Sequence, residues 1–172
     1  MTKIIPTGRE VFFEENELIV SKTDLRGRIT YANQVFLRVA GYSEEEVLGQ
    51  PHSMIRSAEM PRCVFKLLWD SIESGKEIFA YVVNMTKQGD HYWVFAHVTP
   101  TFNADGKITG YHSNRRVPNR KSVETIKELY KMLRAEEARH SDAKLGMLAA
   151  YELLVKILGD KKVEYGEFVF SV

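Results

Sequence analysis

The run from Asp24 to Gly49, D-L-R-G-R-I-T-Y-A-N-Q-V-F-L-R-V-A-G-Y-S-E-E-E-V-L-G, constrains this chain most, because each of its punctuating residues starts or ends an element. The apolar run Leu18-Ile19-Val20 leads into Asp24 and Gly27, turn formers that bring a second strand, Arg28 to Tyr31, back antiparallel. Asn33 is placed to cap a helix in which Val35, Phe36, Val39 and Ala40 recur at helical spacing, and Gly41 suits the left-handed residue that ends it. Ser43 with Glu46 three residues later is a capping box for a further helix that stops near Gly49.

Pro61 to Ser74 is amphipathic. Pro61 suits a first helical turn, Val64, Phe65, Leu67, Leu68 and Ile72 mark an apolar face, and Gly75 ends it. Three strands follow, Ile78 to Met85, His91 to Phe102 and Lys107 to Arg115, joined by turns at Lys87-Gln88-Gly89-Asp90 and Asn103-Ala104-Asp105-Gly106. After Pro118-Asn119, the stripe Val123, Ile126, Tyr130 and Leu133 is suited to packing on the sheet or on a second helix. Ser141 and Asp142 are placed to cap that second helix, whose expected face is Leu145, Leu148, Ala149, Leu153, Val155 and Leu158, ending at Gly159. Val163 to Val172, with three aromatics, reads as a strand-like tail docked on an edge strand, a helix or a dimer mate.

The order Asp24, Gly27, Ile29, Tyr31-Ala32-Asn33, Phe36, Gly41-Tyr42-Ser43, Glu45 and Gly49 resembles the opening half of a PAS domain, and the later helix and three strands match its second half. The resemblance covers residues 16–117. It implies an α+β fold: a five-stranded antiparallel sheet with short helices on one face, preceded by an extension over 1–15 and followed by C-terminal helices over 118–172.

A narrower likeness lies in G-Q-P-H-S-M-I-R-S-A-E-M-P, L-L-W-D-S-I, N-M-T-K-Q-G-D-H-Y-W-V and I-T-G-Y, which resemble the flavin-binding PAS domain of bacterial aerotaxis and energy-taxis receptors. That likeness implies non-covalent FAD binding, redox or energy sensing, and signalling to chemotaxis machinery. It carries Asn33, His52, Arg56, Trp69 and Asn84 onto positions in or beside a flavin pocket. Arg56 offers a fork of donors to pyrophosphate or a flavin carbonyl, Asn84 a donor and an acceptor to the pyrimidine edge, and Trp69 an aromatic wall. The chain departs from the family's usual R-H-P-D-M-P at Arg56-Ser57-Ala58-Glu59-Met60-Pro61.

Other readings of the same residues stay open. Trp69 and Trp93 suit core packing, Arg56 a surface ion pair and Asn84 a turn, which together describe a cofactor-free interaction module. Haem is the rival ligand, and His52 is the histidine nearest the expected cavity mouth, while the helix Pro61 to Ser74 contains none. Cys63 lacks the surroundings of a light-sensing flavin cysteine; it reads as a semi-buried helix residue that its place near a helix start makes modestly reactive.

With 172 residues, 44% hydrophobic content and a net charge of +1, the chain can bury one good core and has no electrostatic case for nucleic acid or an anionic membrane. Its single cysteine fits a reducing cytoplasm. No apolar stretch approaches the ~18 residues of a bilayer span, so membrane insertion is not expected. No phosphate loop, metal-spaced cluster, nucleophile elbow or kinase signature points to an enzyme. Nothing resembling an output domain follows residue 117, so a protein partner is expected to carry the output, with a homodimer formed through the C-terminal helices.

Overall fold

A computed structural model describes residues 4–172. The first hairpin joins β1 (Ile19–Thr23) to β2 (Ile29–Ala32). The Asp24 carboxylate builds its turn by accepting the N–H groups of Arg26 and Arg28 at 2.8 and 2.9 Å. Asn33 caps α1 (Gln34–Ala40), which Gly41 ends at φ 75°. The Ser43–Glu46 capping box opens α2 (Glu44–Val47). A 3-10 turn over His52–Ile55 then leads to α3 (Arg62–Glu73).

The meander β3 (Ile78–Met85), β4 (His91–Phe102) and β5 (Ile108–Arg116) completes a five-stranded sheet of order β2-β1-β5-β4-β3, every neighbouring pair antiparallel. The last strand therefore lies in the centre, beside the first. Because successive side chains point to opposite faces, Val82 and Asn84, Ala96 and Val98, Tyr111, Ser113 and Arg115, and Ser21 and Thr23 turn to one face together. That face, with α3 opposite, encloses the cavity described below.

The other face is covered from the C-terminal side. In α4 (Arg120–Ala138) the predicted stripe Val123, Ile126, Tyr130 and Leu133 is buried, and Tyr130 donates its O–H to the carbonyl of Tyr81 on the edge strand β3. Asp142 caps α5 (Ala143–Lys161), which packs on α4 and α3. The N-terminal extension runs along the β3–β4 turn, where Arg9 pairs with Asp90 at 2.6 Å, and reaches α4 through Glu10 and Arg120.

Two expectations are corrected. The tail is not a strand but a short helix, α6 (Tyr165–Ser171). Tyr165, Phe168, Val169 and Val172 recur at three, four and seven residues and pack together on the core, while Phe170 rests on Phe79 and Phe95 with ring centroids 4.8 and 5.7 Å away. Aromatic content favoured a strand, and the existing sheet face selected the helix. In α5 the buried positions are Gly146, Ala150, Leu154 and Leu158, whereas Leu145, Leu148 and Val155 are exposed, and the helix runs past Gly159 to Lys161. Apart from a charged strip at Glu152, Lys156 and Asp160, apolar residues surround this helix, so periodicity left several faces open. Small residues chose among them, since a side chain at Gly146 would meet the Glu137 carbonyl oxygen at 2.4 Å.

Candidate functional site

Between the sheet and α3 lies a cavity of about 360 Å³, within the range of ligand pockets. Its walls are largely apolar, with Val82, Ala96 and Val98 on the sheet side and Leu68, Trp69 and Ile72 on α3. Trp69 meets Tyr111 edge to face at 5.4 Å. Gly27, at φ 74°, leaves room for the Trp69 ring, which a methyl group there would meet at 3.1 Å.

The polar lining is one-sided in charge. Arg26, Arg56 and Arg115 line the cavity with His52 and His112, and among the described residues no carboxylate does. Arg56 sits at the mouth, its guanidinium 3.6 Å above the Phe65 ring, and its backbone bridges to Asn84. Burial and the neighbouring Arg62 lower its pKa.

Arg115 is only 3% exposed. Its Nη2 donates to Ser21 Oγ at 2.8 Å and to His52 Nε2 at 2.6 Å. Since His52 Nε2 accepts, its ring proton is assigned to Nδ1. Burial, reinforced by the Arg115 and Arg56 charges, pushes the His52 imidazole down to about 3, so it is neutral. Burial likewise lowers Arg115 to about 10, which leaves it charged.

Five buried side-chain polar atoms have no hydrogen-bond partner among the described residues, and three of them belong to cavity-lining residues: Asn84 Nδ2, which neighbours the also unpaired Tyr92 Oη, Ser113 Oγ and Arg115 Nη1. Buried polar atoms are nearly always paired. The three on the cavity wall leave unused hydrogen-bonding capacity beside the empty space.

Of the residues expected at a pocket, His52, Arg56, Trp69 and Asn84 meet around this cavity. Asn33 does not. Its amide oxygen accepts the Val20 and Phe36 N–H groups, both at 3.0 Å, and its amide nitrogen donates to the Leu18 carbonyl, so it ties β1 to α1 outside the cavity lining. The departure at Ser57 to Glu59 also lies outside the lining, where Ser57 Oγ accepts the Glu59 N–H and shapes the turn before α3. Cys63 is not activated by its helix start: burial, then the neighbouring Glu137, pushes its thiol up to about 12.

Ser21, Ser113 and Arg115 were not foreseen. A signal was present on β5, where Tyr111, Ser113 and Arg115 alternate on one face and a charge at an inward position is the anomaly to notice.

Residues 29–115 match the protein family described as PAS fold. The chain is 39% identical over 121 residues to the aerotaxis receptor of Escherichia coli (strain K12), covering 70% of this chain and 24% of that one. It is 30% identical over 103 residues to the nitrogen fixation regulatory protein of Klebsiella pneumoniae, covering 60% of this chain and 21% of that one. It thus spans about a quarter of the length of these curated relatives. Among solved structures, the light state of the blue-light photoreceptor Aureochrome1 LOV aligns with a TM-score of 0.56 at 23% identity, over 62% of this chain and 86% of that one. A light-oxygen-voltage domain studied with a flavin analogue aligns with a TM-score of 0.56 at 20% identity, over 72% and 87%. Both likenesses concern the fold.

Proposed function

The chain belongs to the PAS-fold family, and from that premise we propose that it is a signal-transduction sensor whose cavity binds a flavin, FAD, and whose C-terminal helices report the flavin's redox state to a protein partner. The observation that carries this reading is the set of unpaired buried donors, Asn84, Ser113 and Arg115, on the wall of an apolar cavity that no carboxylate lines among the described residues.

The residues present fit the group. Trp69 and the aliphatic wall suit a flat ring, Asn84 and Ser113 suit its polar edge, and Arg56 and Arg26 at the mouth suit phosphate. Bound flavin would supply a two-electron redox centre whose reduced form carries negative charge, which the three arginines of the lining favour. A filled, cofactor-free core has no use for such a cavity, and His52 Nε2 is already held by Arg115 and Ser21 rather than offered to a haem iron.

A route outward exists in α3. One side of this helix presents Phe65, Leu68 and Trp69 to the cavity. Its other side meets α5, where Lys66 lies 5.5 Å from the centre of the Tyr151 ring, and its first turn is tied to α4 by Glu137. A shift of α3 on reduction is therefore passed to the helices expected to dock a chemotaxis-type partner or a second copy.

The test is an absorption spectrum of freshly purified protein, followed by heat release and chromatography of the chromophore. The two bands of oxidised flavin, bleached by dithionite, with FAD released, are expected. A protein that stays colourless after incubation with FAD would overturn the flavin reading.

A further inference from the structure

Arg115 carries a charge that the fold itself does not neutralise. The residue is 3% exposed, both partners of Nη2 are neutral, Nη1 has none among the described residues, and the Phe36 ring, 5.7 Å from the guanidinium carbon, offers a weak cation–π contact but no opposite charge. Burying a cation without a carboxylate is unfavourable, so folding alone does not account for it. The neighbouring donors are in the same condition: Ser113 Oγ, two residues back on the same face of β5, and Asn84 Nδ2 on β3 are also unpaired. All three share one cavity wall with aliphatic side chains that suit the body of a flat ligand.

We propose that Arg115, supported by Ser113 and Asn84, is the residue that selects the ligand's charge, admitting ligands whose buried edge bears or localises a negative charge over neutral ligands of the same shape. The inference rests on the cavity being a ligand site and deepens the flavin reading. In flavin terms the cavity holds the reduced, anionic ring more tightly than the oxidised, neutral one. Arg115 touches the ligand directly, while Ser21 and His52 position it by holding Nη2.

The test compares wild type, Arg115→Met and Arg115→Lys, each measured for thermal stability without ligand and for affinity toward oxidised and dithionite-reduced FAD. Loss of a charge-assisted hydrogen bond predicts that Arg115→Met binds oxidised FAD about tenfold more weakly and reduced FAD about a hundredfold more weakly, with Arg115→Lys between. The ligand-free Met variant is expected to melt at or above wild type, because a buried unpaired charge is gone and Ser21 can donate to His52 Nε2, 3.1 Å away. Equal losses for the two redox forms, or a ligand-free variant that melts lower while its folded fraction binds normally, overturn the proposal. Should wild type take up no FAD at all, the flavin reading fails by itself. Arg115 is then judged by urate, a planar anion at neutral pH: a rise in melting temperature seen in wild type and absent in Arg115→Met upholds the proposal, and no rise in wild type overturns it.

Discussion

Glu137, near the end of α4, accepts the backbone N–H of Cys63 in the first turn of α3 at 3.0 Å. The residue at the N-cap position, Pro61, has no side-chain acceptor. A carboxylate from another helix thus performs the capping that the local sequence omits, and it joins the helix lining the cavity to the C-terminal helices.

Glu137→Ala should accordingly cost about 1 kcal/mol, as loss of a cap does, and Glu137→Gln, which keeps an acceptor oxygen, clearly less. Urea unfolding reads the difference. An alanine variant as stable as wild type would show that this tie has no energetic weight.

The same contact bears on Cys63. With its thiol pushed up to about 12 by burial and then by Glu137, the native protein holds almost no thiolate. Labelling by a disulfide reagent at pH 8 should be at least ~100-fold slower than in urea. Comparable rates in the two conditions would contradict the burial of this side chain.

His52 predicts a pH dependence with a definite sign. Its folded value of about 3 lies below the ordinary 6.5, so its contribution is complete above pH 6.5. As the pH falls below that, the unfolded chain takes up a proton that the native protein refuses, and stability declines by up to about 1.4 kcal/mol per pH unit until the native imidazole protonates near 3. Unfolding free energies between pH 6.5 and 5, above the range where carboxylates titrate, should show this slope in wild type and a flatter one in His52→Gln. Parallel slopes would refute the neutral, half-buried imidazole.

Two glycines of α5 should respond oppositely to alanine. At Gly146 a methyl group meets the Glu137 carbonyl oxygen at 2.4 Å, a clash with backbone that should cost about 1–3 kcal/mol. Nothing lies within 4 Å of a methyl group at Gly159, so helix propensity alone acts there and alanine should stabilise by roughly 0.5–1 kcal/mol. Thermal unfolding of the two variants separates the cases, and a shift in the same direction for both would discredit the close α4–α5 approach.

The two tryptophans offer a similar contrast. Trp93 is 3% exposed beneath Tyr130, and its replacement by alanine should cost about 3–5 kcal/mol, as in a filled core. Trp69 faces the cavity, so Trp69→Ala removes fewer contacts and should cost well under that. A loss at Trp69 as large as at Trp93 would mean that the space beside it is filled.

Much of the fold was legible because its signals are local. Asp24, Gly27, Asn33, Gly41, Ser43 and Glu46 act within four residues of themselves, and all occupy the turn and cap positions their chemistry predicts. The strands Ile78–Met85 and His91–Phe102 are bounded by equally local turns. Four of the five expected site residues meet at one cavity through a family resemblance, not through any pattern that periodicity could reveal. Asn33 lies outside the lining of this cavity, where its three hydrogen bonds tie β1 to α1, and the sequence alone could not separate that capping role from a ligand contact.

What the sequence determined by itself is the set of elements from β1 to α5 and their order, since turns, caps and strand alternation depend on neighbours along the chain. Tertiary structure decided the rest. It made the aromatic tail a helix by offering Phe79 and Phe95 as its bed, and it turned Gly146 and Ala150 of a helix with several apolar faces inward because only small residues allow α4 so close. It also left Arg115 charged, with neutral partners alone for Nη2 and none for Nη1 among the described residues, in the wall of a cavity, because the central place of β5 brings together Ser21, His52, Asn84 and Ser113, residues 2 to 94 positions away along the chain, and none of them carries a negative charge.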